Sequence, residues 1–131
     1  MKGKILIAED EPHILELIKF TLSDSFEILE AEDGEQAMKI IEDNKDNLPD
    51  LVLLDVMMPR MNGFEVCEKL KSNTETKDII ITMLSAKGQI QERMEGMRKG
   101  ADHYITKPFD PMALKEQLEI IVNNKNRRDK I

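Results

Sequence analysis

Short apolar runs alternate with amphipathic stretches five times along the chain. The apolar runs predict strands near residues 4–9, 26–31, 51–55, 79–84 and 103–106. Apolar residues at helical spacing predict helices near residues 12–23, 34–45, 63–73, 88–99 and 111–123. Because strands and helices alternate, we predict an α/β fold with a parallel sheet, right-handed crossovers and helices on both faces.

Local signals mark several helix ends. Pro12 and Pro111 fit the first turn of a helix, where a missing backbone N–H costs nothing. Asp33 followed by Gln36 resembles a capping box, in which side chains satisfy free backbone N–H groups. Gly100 stands where the fourth helix should end, and we expect it in the left-handed conformation that glycine adopts easily.

The composition indicates one globular domain. With 131 residues, of which 40% are hydrophobic and 34% charged, the chain is long enough to enclose a core. The formal net charge of -7 argues against direct nucleic-acid binding, which depends on Lys and Arg contacts to phosphates. Cys67 is the only cysteine, so no intrachain disulfide is possible, and its position in the third helix predicts buried packing.

The sequence shows no pattern typical of a leader or a membrane span. The basic start, Met1 to Lys4, is followed by an apolar stretch that is too short for a signal peptide. No apolar run approaches the length of a membrane-spanning helix. We therefore expect a cytoplasmic protein with no membrane partner.

Polar side chains follow four of the five predicted strands. Glu9 and Asp10 come after the first strand, Asp55 ends the third, Ser85 follows the fourth and Lys107 follows the fifth. The carboxyl ends of parallel strands meet at one edge of an open sheet, which is where ligands bind in such folds. We therefore expect these five side chains to lie close together.

Three carboxylates at one place require a cation. Two unit charges about 4 Å apart repel by roughly 1 kcal/mol in water and about 4 kcal/mol near a protein surface. Lys107 supplies one positive charge, and an oxygen-only ligand set favours Mg²⁺ for the remainder. Asp55 is then suited to attack a phosphoryl group, and Ser85 to donate a hydrogen bond to a phosphoryl oxygen.

Four segments resemble the response regulator receiver domain of two-component signalling. They are Glu9-Asp10-Glu11-Pro12, Leu54 to Gly63, Met83-Leu84-Ser85-Ala86 and Tyr104 to Phe109. They occur in order at the ends of predicted strands, and the resemblance covers residues 4 to about 123. It implies a flavodoxin-like, doubly wound sheet of five parallel strands in the order 2-1-3-4-5 with five helices. Residues 1–123 would then form the receiver domain, and residues 124–131 a short tail or the start of a linker.

The resemblance also implies the role of each site residue. Asp55 would accept a phosphoryl group from a sensor histidine kinase or a phosphotransfer protein. Glu9, Asp10 and Asp55 would hold Mg²⁺ together with the backbone carbonyl of Met57. Ser85 and Lys107 are expected to contact the phosphoryl oxygens.

Activation in this family implies a conformational switch. Tyr104 would turn inward as the Ser85 hydroxyl moves toward the phosphate, and the Lys107–Pro108 bond would be cis. The fourth helix, fifth strand and fifth helix would form the altered surface that a downstream effector protein or domain recognises. The chain would thus be a phosphoprotein and no enzyme, apart from catalysing its own phosphorylation and autodephosphorylation.

Two other readings stay open. A Mg²⁺-dependent phosphohydrolase of the haloacid dehalogenase type would also use an aspartyl nucleophile, but it carries a second Asp where this chain has Met57. Alternatively the chain is the receiver of a longer regulator. In the last predicted helix Gln117 and Glu119 stand where many winged-helix regulators carry basic residues for pairing, which argues against the usual dimer.

The lifetime of the phosphoryl group is a further expectation. Met57 and Lys87 flank the expected path of the attacking water. Neither side chain carries the amide or carboxylate that would orient this water, so we expect slow self-dephosphorylation.

Overall fold

The computed structural model describes residues 3–86, 94, 98 and 100–129. Its centre is a sheet of five parallel strands in the order β2-β1-β3-β4-β5, as the sequence predicts. The strands are Gly3–Ala8 (β1), Phe26–Ala31 (β2), Leu51–Asp55 (β3), Ile80–Ala86 (β4) and His103–Lys107 (β5). The doubly wound α/β fold is therefore confirmed.

Four helices are described in this part of the chain. They are Pro12–Leu22 (α1), Gly34–Asp43 (α2), Gly63–Ser72 (α3) and Pro111–Asp129, which we call the C-terminal helix. The helix predicted near residues 88–99 lies outside the described residues, apart from residues 94 and 98. Gly100 has a φ of 98°, the left-handed conformation predicted for it.

The C-terminal helix is longer than predicted, since it continues to Asp129 instead of ending near residue 123. Its apolar stripe stops at the buried Val122, so the hydrophobic pattern marks only the part that packs on the sheet. Once a helix exists, further polar residues extend it at little cost in free energy. Lys125 also holds the extension in place, because its ammonium donates to the backbone carbonyl of Asp50 at 3.2 Å.

Both faces of the sheet are buried, as is typical of parallel sheets. Alternating strand residues point to opposite faces, so Leu6, Val52 and Leu54 contact α2 and α3, whereas Ile5, Ile7 and Leu53 contact α1 and the C-terminal helix. Cys67 belongs to the first of these two clusters and is fully buried, which confirms its predicted place in the core. Burial raises the pKa of its thiol to about 11, so the thiol stays protonated at neutral pH.

The predicted capping box at the start of α2 is present in part. Asp33 accepts a hydrogen bond from the backbone N–H of Gln36 at 2.8 Å, but the Gln36 side chain accepts from the N–H of Glu32 rather than Asp33. A complete box, which was not predicted, begins α3: Asn62 accepts from the N–H of Glu65, and Glu65 accepts from the N–H of Asn62. Both caps follow loops at the carboxyl edge of the sheet, and they fix where each helix starts.

Candidate functional site

The five polar residues predicted from the strand ends lie at the same edge of the sheet. Asp55 ends β3 and pairs with Leu84 of β4, so the serine that follows Leu84 lies beside it. Lys107 ends β5 opposite Ala86, and Glu9 and Asp10 follow β1 directly. The register of four strands therefore brings acids, hydroxyl and ammonium together as predicted.

Lys107 joins two of the carboxylates. Its ammonium lies 2.9 Å from Asp55 Oδ2, to which it donates a hydrogen bond, and 2.9 Å from Glu9 Oε1. The contact to Glu9 is an ion pair. Burial disfavours the charge of Lys107, but its contacts to the two acids outweigh burial and raise the pKa of the ammonium.

Glu9 is the most buried acid of the site, with none of its surface exposed. Its pKa is raised to about 8, chiefly by burial and next by the adjacent Asp55, while Lys107 opposes the shift. A buried carboxyl group of this kind is ionised only if positive charge lies next to it. The site therefore favours a cation beyond the single ammonium of Lys107.

The carboxylates of Glu9, Asp10 and Asp55 form a candidate metal site. One oxygen of each lies within 4.8 Å of the other two. Glu9 and Asp55 are buried and Asp10 is exposed, so the cluster opens to solvent on one side. Oxygen ligands without nitrogen or sulfur suit Mg²⁺, which keeps several waters and binds one or two carboxylates. The residues present thus fit the predicted metal.

Ser85 has a buried hydroxyl that nothing in the described chain satisfies. The residue is 2% exposed, and its Oγ lacks a hydrogen-bond partner among the described residues. It lines an open cleft of about 340 Å³ with Asp10, Asp55, Met57 and Lys107. Since an unsatisfied buried hydroxyl is unfavourable, Ser85 is placed to donate to a ligand that enters this cleft.

The loop after β3 contributes backbone to the site. The N–H of Met57 donates to Asp55 Oδ1 at 3.1 Å, a contact that the sequence did not predict. With Lys107 on Oδ2, both oxygens of Asp55 are held in place. Met57 is 70% exposed, and the ligand role of its backbone carbonyl stays a prediction.

Tyr104 lies on β5, three residues before Lys107. It pairs with Met83, is half-buried, and packs against the core cluster under α2 and α3. Its role as a switch stays a prediction. The Lys107–Pro108 peptide bond is cis, which confirms the sequence-based expectation.

Sequence reasoning missed Arg60. Its guanidinium forms an ion pair with Asp33 at 2.6 Å, and its backbone has a φ of 65° in the loop between β3 and α3. No sequence signal points to this conformation, because left-handed backbone is usually supplied by Gly or Asn. Asp33 was predicted only as a helix cap, and it both caps α2 and pairs with Arg60.

A family model described as the response regulator receiver domain matches residues 5–119. The phosphate regulon transcriptional regulatory protein PhoB of Pseudomonas aeruginosa is 45% identical over 124 residues, which are 93% of this chain and 53% of PhoB. The histidine kinase P4 of Formosa agariphila is 37% identical over 126 residues, 96% of this chain and 9% of the kinase. The chain spans about half the length of the curated transcriptional regulators it matches.

Solved structures agree with the fold. The chemotaxis response regulator CheY4 of Vibrio cholerae superimposes with a TM-score of 0.84 at 29% identity, covering 92% of this chain and 99% of that one. Within the described part of the chain, no helix has the length and apolarity needed to cross a membrane.

Proposed function

Because the chain belongs to the response regulator receiver domain family, we propose that it is a switch activated by phosphorylation of Asp55. The observation that carries the proposal is the Lys107 ammonium, 2.9 Å from Asp55 Oδ2 at the mouth of a cleft. A strand-end acid that served only to cap the next turn would not need a partner from β5. The nearby acids Glu9 and Asp10 and the unsatisfied Ser85 hydroxyl support the same reading.

In the proposed transfer, Asp55 is the nucleophile. One carboxylate oxygen attacks the phosphorus of a phosphohistidine, a P–O bond forms, and the P–N bond breaks so that the imidazole nitrogen leaves with its electron pair. The Lys107 ammonium and the Ser85 hydroxyl stabilise negative charge on the phosphoryl oxygens. The Met57 N–H holds the second Asp55 oxygen and so orients the nucleophile.

The acidic cluster would hold Mg²⁺ through the side chains of Glu9, Asp10 and Asp55 and the backbone carbonyl of Met57. When bound, the ion would neutralise charge on the carboxylates and the phosphoryl group. When all three carboxylates are ionised, Lys107 alone leaves two negative charges in excess, which a divalent cation would balance.

Phosphorylation would act on the rest of the molecule through β4 and β5. A phosphoryl group in the cleft satisfies the Ser85 hydroxyl, and Ser85 pairs with Thr106 of β5, two residues from Tyr104. We infer that the Ser85 hydroxyl moves toward the phosphoryl group and that Tyr104 then turns inward. This change would alter the surface formed by the fourth predicted helix, β5 and the C-terminal helix. The partners are a sensor histidine kinase or phosphotransfer protein and a downstream effector protein or domain. The chain would act on no outside substrate, and it would work in the cytoplasm.

The Asp55→Asn variant tests the acceptor. We expect it to lose acid-labile phosphate incorporation from a small phosphodonor such as acetyl phosphate, because the amide is a poor nucleophile. Asp24→Asn is a matched control, since Asp24 is exposed on the loop before β2. Incorporation of phosphate into Asp55→Asn at the normal rate would disprove the assignment.

The phosphohydrolase reading has less support. The position two residues after Asp55 is Met57, whose side chain can neither donate nor accept a proton for a leaving group. Steady release of phosphate from many small phosphoesters by the purified protein would favour it again.

A further inference from the structure

Asp33 and Arg60 join the start of α2 to the loop between β3 and α3. Nε and Nη2 of Arg60 donate to Asp33 Oδ2 at 2.9 and 2.6 Å. The other oxygen, Oδ1, accepts the N–H of Gln36 and caps α2. The Asp33 side chain is 7% exposed, so this contact is largely shielded although the Arg60 side chain is 63% exposed. One carboxylate thus holds both a helix and a loop.

Arg60 has a backbone conformation that needs support. Its φ of 65° is the only positive value among the non-glycine residues that the structure describes. A side chain with a Cβ is unfavourable in the left-handed region, and Arg lacks the local hydrogen bond that helps Asn there. The two hydrogen bonds to Asp33 hold the guanidinium and oppose a return of the backbone to negative φ.

The residue after Arg60 makes a second contact with α2. A Cβ placed on Gly34, the first residue of α2, would collide with the backbone carbonyl of Met61. The loop and the helix therefore touch through main chain as well as through the ion pair. The tip of the loop is fixed in two ways.

The same loop carries the Met57 backbone that contacts Asp55. It leaves the sheet at Val56, whose N–H donates to the carbonyl of Leu84, and it closes where the N–H of Gly63 donates to the carbonyl of Val56. Because only seven residues, 56–62, lie between β3 and α3, a shift of the loop tip is transmitted to Met57. The distance of 3.1 Å from the Met57 nitrogen to Asp55 Oδ1 therefore depends on the conformation of the whole loop.

We propose that Asp33 and Arg60 are positioning residues for the chemistry of Asp55. The pair fixes the loop so that Met57 presents its backbone to Asp55, and it thereby sets the rate at which Asp55 takes up phosphate. It also sets the affinity of the acidic cluster for Mg²⁺. This inference rests on the proposed phosphorylation of Asp55.

Two variants separate positioning from stability. Asp33→Asn loses the charge but keeps the cap, because Asn caps helices as well as Asp does. Arg60→Gly loses the guanidinium but adopts positive φ without strain. Lys45→Ala is the control. Lys45 lies just beyond the end of α2, and its replacement removes one positive charge, as Arg60→Gly does, and breaks an exposed ion pair with Glu42.

The experiment measures phosphate uptake from acetyl phosphate, Mg²⁺ affinity from NMR titration, and the urea midpoint of unfolding. We expect Asp33→Asn and Arg60→Gly each to slow uptake roughly 3- to 10-fold, since small displacements of a reacting group reduce rates strongly. We expect both to weaken Mg²⁺ binding and to shift the Met57 amide resonance. The double variant should be no slower than the slower single one, because both changes remove the same contact. Lys45→Ala should match the unaltered protein.

Normal uptake and an unmoved Met57 resonance in both single variants would overturn the inference, as would losses that multiply in the double variant. Failure of the proposed function has a different signature, since the unaltered protein would then take up no phosphate. In that case the Met57 resonance and the Mg²⁺ affinity of Asp33→Asn still decide whether the pair positions the loop.

Discussion

Two buried hydroxyl groups on β4 show how position decides the use of a residue. Thr82 and Ser85 are 0% and 2% exposed, and neither hydroxyl has a hydrogen-bond partner in the described part of the chain. An unsatisfied buried hydroxyl destabilises a fold by roughly 1–3 kcal/mol. Only Ser85 lies at the end of the strand that borders the cleft, so only its hydroxyl can be satisfied by a ligand.

This difference leads to a prediction. We expect Ser85→Ala to slow phosphate uptake by about 10-fold or more while leaving the urea midpoint unchanged or raised, because it removes a donor that the fold does not use. Valine has nearly the same shape as threonine, so Thr82→Val should likewise leave the urea midpoint unchanged or raised, and it should leave phosphate uptake normal. Loss of stability in Ser85→Ala without loss of uptake would refute the ligand role of the hydroxyl.

Some residues of the site could be predicted from the sequence, and others could not. Glu9, Asp10, Asp55, Ser85 and Lys107 were predictable because each follows an apolar run, and the rule for parallel strands then brings the run ends together. Arg60 was not, since its role depends on φ and on a partner 27 residues away. A contact of that kind leaves no periodic signal.

At the scale of elements, the start of α2 combines a cap, an ion pair and a close backbone contact. Asp33 provides the first two, and Gly34 permits the third because any side chain there would meet the Met61 carbonyl. Helix α2 is therefore docked on a loop as well as on the sheet. Hydrophobic periodicity predicts that α2 exists, and it does not show what its first turn contacts.

The contact at Gly34 predicts a reversal of an ordinary rule. Replacing Gly by Ala inside a helix usually stabilises it by about 1 kcal/mol. Here we expect Gly34→Ala to destabilise the protein by roughly 1–3 kcal/mol, measured by urea unfolding, because the loop must move to admit the methyl group. Glu35→Ala, at the exposed next position, should be nearly neutral. A Gly34→Ala protein that is more stable than the unaltered one would contradict this prediction, because the loop would then admit the methyl group without cost.

The charge of Asp33 should make the stability of α2 depend on pH. The N–H of Gln36 and then the guanidinium of Arg60 lower the pKa of Asp33 below its ordinary value. A lowered pKa in the folded state stabilises the protein above the unfolded pKa, near 4, and this contribution is lost as the pH falls through the folded value. We expect the protein to exceed Asp33→Asn in stability at pH 7 by roughly 1 kcal/mol or less. The difference should vanish in acid, and an equal difference at pH 2 would contradict the ionic origin.

At the scale of the molecule, the site exists only because four strands end together. The sheet order was predictable from the family resemblance, and strand positions from apolar runs, whereas the length of the C-terminal helix was not. Its last turns are polar, so no hydrophobic stripe marks them, and a hydrogen bond from Lys125 to Asp50 supports them. A contact between a lysine and a backbone carbonyl 75 residues earlier is not encoded in the hydrophobic pattern along the chain.

The lifetime of the activated molecule follows from the rim of the cleft. Met57 is exposed there, and its thioether cannot align a water molecule for attack on a phosphoryl group; Lys87, the second residue in this prediction, lies outside the described residues. We expect the phosphorylated domain to decay slowly, and Met57→Asn to shorten its lifetime several-fold, as measured by loss of label after removal of the donor. A half-life of only seconds for the unaltered domain would contradict this.

The single aromatic hydroxyl of the chain has a practical consequence. The protein contains one tyrosine and no tryptophan, so all of its intrinsic ultraviolet emission at tyrosine wavelengths arises from the half-buried ring on β5. Quenching of that emission reports the surroundings of this one ring, without any attached dye. An optical trace recorded while a phosphate analogue enters the cleft therefore follows the strand through which the signal is proposed to leave.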